Sequence, residues 1–326
     1  MRSRADRRRR TKNAPAHSVP RITICSIRFT AMLEKTTALV CAVLGATLSV
    51  ARADTDPTES GATPPSAAAS AENPDKLTLP KGRLVLDAYL GISLTSDFVG
   101  KPITLSPDIW YGVSDDLTVG LVHSGVGTTG FIGDQGGNSP AGSALCLSGT
   151  SDGCRDVYGN VGLEGRYRLS FGASPNFSLA ANGGLYIGDF NDPFFFDIKI
   201  GALGRWHKDK LTVEFAPNLM FGITNRSVDI GGISQTVNRD WLNIPLTGLY
   251  SVMPKLDLAL QLGLALPFED AGDLYRVPLS IGAHYTVNES VTATLAFSFP
   301  ALIAGDSYTK KNADARTLVL GGTYAF

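Results

Sequence analysis

The residues most able to do chemistry form a short stretch near the first third of the chain. His123 and Ser124 are neighbours, and a serine beside a histidine suggests a nucleophile and its base. Adjacent residues on an extended strand point to opposite faces, however. The base and its nucleophile would need to stand at i and i+2, and the place two after His123 is Gly125. The next six residues, Gly125-Val126-Gly127-Thr128-Thr129-Gly130, spell a dinucleotide-binding fingerprint. That motif requires a following helix whose N-terminus holds the pyrophosphate, whereas Phe131 to Pro140 is glycine-rich, so the expected structure is a flexible outer loop. Asp189-Phe190-Asn191-Asp192 opens like a calcium loop but has Ile200 where a bidentate Glu belongs, and Pro193 interrupts it. Glu269-Asp270-Ala271-Gly272-Asp273 is an acidic loop that could hold divalent cations at a lipopolysaccharide surface. Neither acidic segment has the spacing of a metal site, and no cofactor is expected.

Cys146 and Cys154 lie in a Gly/Ser-rich stretch without nearby histidines, which favours a disulfide over a metal site. A ring that small contributes roughly 2 to 3 kcal/mol by loop entropy.

A larger set of charged residues has a regular spacing instead of a motif. Leu256, Leu258, Leu260, Leu262, Leu264 and Leu266 alternate with Asp257, Ala259, Gln261, Gly263 and Ala265, and segments around 275–285 and 291–299 repeat the pattern. Alternation of period two belongs to strands with one apolar face. Twelve such segments are expected, at 82–94, 102–113, 116–125, 157–171, 177–188, 194–206, 210–224, 240–252, 255–267, 274–287, 290–300 and 314–326. Most are long enough to cross a bilayer at a tilt. Short connections alternate with long ones at 126–156, 225–239 and 301–313, as in a transmembrane up-and-down β-barrel with turns on one rim and loops on the other. Tyr111, Tyr167, Phe171, Phe177, Trp206, Tyr250, Tyr285 and Phe326 fall on the apolar face near the short turns and form an interfacial girdle.

With that facing, one set of charges points inward: Arg83, Asp87, Asp108, Glu164, Arg166, Arg168 and Asp197 in the first half. Lys199, Arg205, Glu214, Asp257, Arg276 and His284 complete it in the second. Both signs occur in similar numbers. Two readings follow, a hydrated pore with mixed-charge walls or a self-neutralising network that closes the barrel. Twelve strands lie between the filled eight-stranded and the open sixteen-stranded barrels, so size does not choose between them.

The last strand, Leu318-Val319-Leu320-Gly321-Gly322-Thr323-Tyr324-Ala325-Phe326, resembles the C-terminal signature of bacterial outer-membrane β-barrel proteins. Phe326, Tyr324, Leu320 and Leu318 match it and Gly322 departs from it. The resemblance covers residues 81–326 in architecture. It implies an all-β, porin-like barrel of about twelve antiparallel strands in the cell outer membrane, not an enzyme. Its implied partners are outer-membrane lipid and lipopolysaccharide, the barrel-assembly machinery that reads the terminal strand, and small solutes. The leading expectation is a passive pore with the 126–156 loop as a gate; the alternative is a closed barrel acting through its outer loops.

The N-terminal region fits export. Lys35 precedes an apolar run from Ala38 to Ala46, and Ala51-Arg52-Ala53 supplies a small-x-small cleavage pattern, so residues 1–53 read as a signal peptide. Met32 opens a conventional signal, which makes 1–31 a misassigned extension. Residues 54–80, rich in Pro, Ala and Ser, read as a disordered periplasmic linker. Residues 1–53 hold eleven of the 29 Lys and Arg but two of the 30 Asp and Glu, so the remainder carries a net charge near –10. Such a surplus of acid disfavours a nucleic-acid partner.

Overall fold

The computed structural model describes residues 77–326, apart from 97–98, 136–144, 150, 152–153, 155, 171–175, 191–193 and 231. The signal peptide and nearly all of the linker expected above, together with Phe171 and Asn191 to Pro193, lie outside the described residues.

The chain is a closed antiparallel barrel of twelve strands. In order these are β1 (Leu84–Ser93), β2 (Ile103–Ser114), β3 (Leu117–Val122), β4 (Val161–Leu169), β5 (Phe177–Asp189) and β6 (Phe195–Lys208). Next come β7, in two pieces (Leu211–Phe215 and Asn218–Gly222), β8 (Trp241–Met253), β9 (Leu256–Pro267), β10 (Arg276–Asn288), β11 (Val291–Ala304) and β12 (Thr317–Ala325). Each pairs with its neighbours in sequence, and β12 returns to β1 with Leu86 opposite Tyr324 and Leu90 opposite Leu320. Closure leaves no strand edge unpaired, the condition for backbone to sit in hydrocarbon. The break in β7 falls at Ala216-Pro217, where proline has no N–H to give, and the ladder resumes with Ala202 N–H donating to the Pro217 carbonyl oxygen at 3.0 Å.

Facing follows the period-two rule on every strand. Leu258, Leu260 and Leu262 are 48, 48 and 44% exposed, Ile200 59%, Ile281 56% and Leu295 52%, while Ala259 and Gln261 between the leucines are 5% exposed. Large apolar side chains thus point out around the whole circumference and polar ones point in. Tyr167, Phe177, Tyr250, Tyr285, Tyr324 and Phe326 are exposed at the rim of the short turns. The terminal strand takes the expected register. Leu320, Tyr324 and Phe326 face outward with Leu318 half-buried beside them, and the Phe326 N–H donates to the Leu84 carbonyl oxygen at 3.0 Å.

Two expectations are corrected. Order begins before Gly82. Leu77, Thr78 and Leu79 are 6, 1 and 3% exposed, the Leu79 N–H donates to the Thr118 hydroxyl at 2.7 Å, and Leu79 packs with Val85, Trp110 and Val122. Two leucines spaced i, i+2 are apolar enough to leave water for the short-turn mouth of the barrel. In addition, β3 ends at Val122 instead of residue 125, because the chain turns inward there.

Candidate functional site: the lumen and its inward loop

The segment after β3 does not stand out in solvent as the glycine content suggested. Ser124 caps a single helical turn, Gly125–Thr128, its hydroxyl accepting from the Gly127 N–H at 2.9 Å, and a 3-10 turn, Ile132–Gln135, follows. Asp108 on β2 fixes the entry: its Oδ1 accepts from the backbone N–H groups of His123 (2.7 Å) and Ser124 (2.8 Å), and its Oδ2 from the Ser124 hydroxyl. Gly130, with φ +90°, reverses the chain in a backbone region that L-residues avoid.

From there the segment crosses the lumen and takes a partner from one strand after another. Lys199 on β6 donates to the Gly127 carbonyl oxygen at 2.6 Å, and the Tyr186 hydroxyl on β5 reaches the same oxygen at 3.4 Å. Asn218 on β7 donates to the Thr129 carbonyl oxygen at 3.0 Å and is itself held by Asn243 of β8 at 3.0 Å. Gln261 on β9 accepts from the Ile132 N–H at 2.9 Å and donates to the Gly130 carbonyl oxygen at 3.0 Å. Arg276 on β10 ends the crossing with a two-pronged ion pair to Asp134, whose NH2–Oδ2 arm is 2.6 Å long. Ile132 packs on Ala296 and Val319 of β11 and β12, and the fully buried Phe131 ring lies where a side chain at Gly263 would otherwise stand.

The charges predicted to line the lumen do not form one continuous open wall. Glu164 (1% exposed) accepts from Lys199 at 2.6 Å, from the Tyr186 hydroxyl at 2.5 Å and from Arg166 at 3.3 Å, and the Arg166 guanidinium lies 3.6 Å over the Trp110 ring. Arg205 pairs with Glu214 at 2.8 Å and Arg168 with Asp116 at 3.4 Å. Asp87 accepts from Thr323 and Asp257 from Ser251, each at 2.5 Å, and His284 Nδ1 is 2.9 Å from the Thr294 hydroxyl. Asp197 is buried higher on β6. Arg83 sits before β1, half-buried, at the short-turn mouth. The residues that seize the loop are mostly ones the charge pattern passed over: Tyr186, Asn218, Asn243, Gln261 and Asp134. All but Asp134 are polar residues at inward strand positions, and that parity was the available signal.

His123 and Ser124 do not meet. The His123 Nδ1–H donates to the Pro107 carbonyl oxygen at 2.5 Å, and Nε2 accepts from the Tyr158 hydroxyl at 3.1 Å, while Ser124 is committed to Asp108. Burial lowers the His123 pKa, against a smaller upward pull from the Pro107 carbonyl, and burial raises that of the Tyr158 phenol. Cys146 and Cys154 are joined in a disulfide with Cα atoms 6.1 Å apart, in the outer part of the same connection.

Above the inward segment, on the long-loop side, lies a cavity of about 810 Å3. Its floor is Thr128, Thr129 and Gly133, and its walls include Trp241, Tyr308, Arg239, Arg276, Lys310 and Arg316. Its rim is tied across loops. Arg226 holds Asp240 through two arms of 2.7 and 3.0 Å and Glu269 at 2.5 Å, and Arg239 holds Asp270 at 3.1 Å. Two carboxylates of the acidic loop expected to bind divalent cations are therefore turned to arginines.

No family model matches this chain, and no curated protein does. Among solved structures it is similar to the NanC porin, at 9% identity over 73% of this chain and 98% of that one, with a TM-score of 0.49. It is likewise similar to the KdgM porin, at 8% identity over 74 and 99% of the two chains with a TM-score of 0.44. OmpF of Salmonella typhi gives 12% identity over 74 and 97%, with a TM-score of 0.39. Identities and scores this low leave function to be read from the chain's own residues.

Proposed function

We propose that this chain is an outer-membrane barrel and a passive channel for small solutes, narrowed at mid-height by the segment Ser124–Asp134. One observation carries the reading. A belt of exposed leucine, isoleucine and aromatic side chains surrounds a closed barrel whose interior is polar and charged, which is what a wall between hydrocarbon and a wet lumen requires. A contiguous apolar surface of that extent in water would drive aggregation. A polar lumen, in turn, has no use in a barrel packed solid. The inward segment supplies the size limit, and its anchoring by hydrogen bonds to β2, β5, β6, β7, β9 and β10 and by packing on β11 and β12 makes it a fixed constriction instead of a free flap. Both termini of the barrel lie with the short turns, so an exported chain would leave them in the periplasm and turn the cavity toward the outside. The terminal strand, with Leu318, Leu320, Tyr324 and Phe326, is in this reading the segment engaged by the assembly machinery, and the outer rim meets lipopolysaccharide.

The test is single-channel recording in planar bilayers with protein refolded in detergent, its folding checked by heat-modifiable migration. Small, uniform conductance steps are expected. Folded protein that gives none, in the natural form and with the constriction loosened, would replace the channel by a closed barrel acting through its loops.

A further inference from the structure

The outer cavity has a charge pattern of its own. Four cationic side chains line it, Arg239, Arg276, Arg316 and Lys310, against one carboxylate, Asp197. Arg276 is neutralised by Asp134 and Arg239 by Asp270. Arg316 differs from both. It has no carboxylate partner among the described residues, and its Nε is buried without a hydrogen bond. The residue is half-buried, and a buried N–H without an acceptor costs free energy that the oxygen of a ligand would return. The backbone holds it in place nonetheless: the Arg316 carbonyl oxygen accepts from the Leu94 N–H at 2.9 Å, and Thr317 begins β12 directly after it. Facing the same space are the flat rings of Trp241 and Tyr308, the latter tied by its hydroxyl to the Leu274 carbonyl oxygen at 3.1 Å.

We infer that the outer cavity is a binding site for organic monocarboxylates, the carboxylate taken by Arg316 and the apolar body laid against Trp241 and Tyr308. Among the described residues Arg316 is the guanidinium of the cavity without a carboxylate partner, Lys310 being held at 3.4 Å from the Ser96 hydroxyl, and its planar fork matches the two oxygens of a carboxylate. A volume of about 810 Å3 lies in the range of small-molecule sites, which are apolar with a few fixed polar groups. The inference deepens the channel reading above, naming the class of solute held before the constriction, and it uses that reading only for the route onward.

The experiment is calorimetric titration of the folded full barrel in detergent with three probes of one shape: benzoate, benzyl alcohol and benzylammonium. Benzoate is expected to bind about tenfold more tightly than benzyl alcohol, the worth of one charge-assisted pair, with benzylammonium weakest. R316Q should abolish the preference for benzoate, and R316K should keep part of it, since the charge remains and the fork is lost. Trp241 fluorescence should be quenched by benzoate in the natural protein, and W241F should lose that quenching. Equal binding of the three probes overturns the site, as does a benzoate preference untouched by R316Q. The three-probe comparison uses the natural chain, so it decides the matter even if a variant does not fold. Failure here is separable from failure of the channel: probe discrimination without conductance sinks the channel and keeps the site, and conductance without discrimination does the reverse.

Discussion

Replacing Asp134 by Asn tests whether the constriction is held as described. Asp134 is fully buried and the Arg276 side chain is 8% exposed, so the substitution leaves a guanidinium enclosed without its counter-charge. Removing one member of a buried pair costs about 3 to 5 kcal/mol where the structure cannot relax. Here one route is open. The far half of the segment is otherwise held by Asn218 on the Thr129 carbonyl and by Gln261 on Ile132 and Gly130, three neutral hydrogen bonds contributing about 1 kcal/mol each. Releasing that half also uncovers Phe131 and Ile132, about 2 kcal/mol each, so it costs more than leaving Arg276 unpaired, and the released state, which readmits water to the guanidinium, stays the minor one. The near half keeps the Lys199 contact to Gly127 and the Asp108 cap. D134N should therefore lose about 3 kcal/mol of stability and show the natural single-channel conductance with brief excursions to a second, wider level. Adding R276Q removes the orphaned charge and should remove most of the excursions. A D134N protein with no wider level and an unchanged unfolding temperature on heated gels would refute the idea that this pair holds the constriction.

Glu164 should matter more for stability than for conductance: E164Q strands the Lys199 ammonium, 3% exposed, and is expected to lower the temperature of heat-modified migration through a loss of about 3 kcal/mol. Reducing the Cys146–Cys154 disulfide should leave barrel migration unaltered, because the bond closes a ring of eight residues' separation within the outer loop, while protease cleavage between residues 136 and 160 becomes faster. Asp240 has its carboxyl held below the ordinary value of 3.8 by the hydrogen bond from Arg226, so its contribution is present above about pH 4 and is lost as pH falls through the lower folded value. In the 225–239 connection Ser227–Ile230 pairs antiparallel with Ile233–Thr236, and protease accessibility of this hairpin should accordingly rise only in strong acid, with D240N showing the same accessibility already at neutral pH.

The barrel was legible in the sequence because its rule is local. The alternation of Leu256 to Leu266 with Asp257 to Ala265 states the facing of β9 without reference to any other strand, and a slip of one residue would have put Asp257 or Arg276 into hydrocarbon. The same parity picks out strand positions at which Glu164, Lys199 and Arg276 are 1, 3 and 6% exposed, whereas Arg83 precedes β1 and has no strand facing. It does not reach Gly125 to Asp134, where glycine richness predicts an outer loop, because what holds that segment is spread along the sequence from Asp108 to Val319. Asp108 caps its start and Arg276 takes its end, and each reads alone as one more lumen charge. The carboxylate that pairs with Arg276 comes from the loop, not from the wall. The wall charges read from parity balance on their own, six cations against six carboxylates, yet Arg276 takes its counter-charge from Asp134 of the inward segment and not from another wall residue. That dependence has a consequence for the channel: the constriction and the pairing of Arg276 are one arrangement, so a change that moves the loop also unpairs a guanidinium that a passing solute meets.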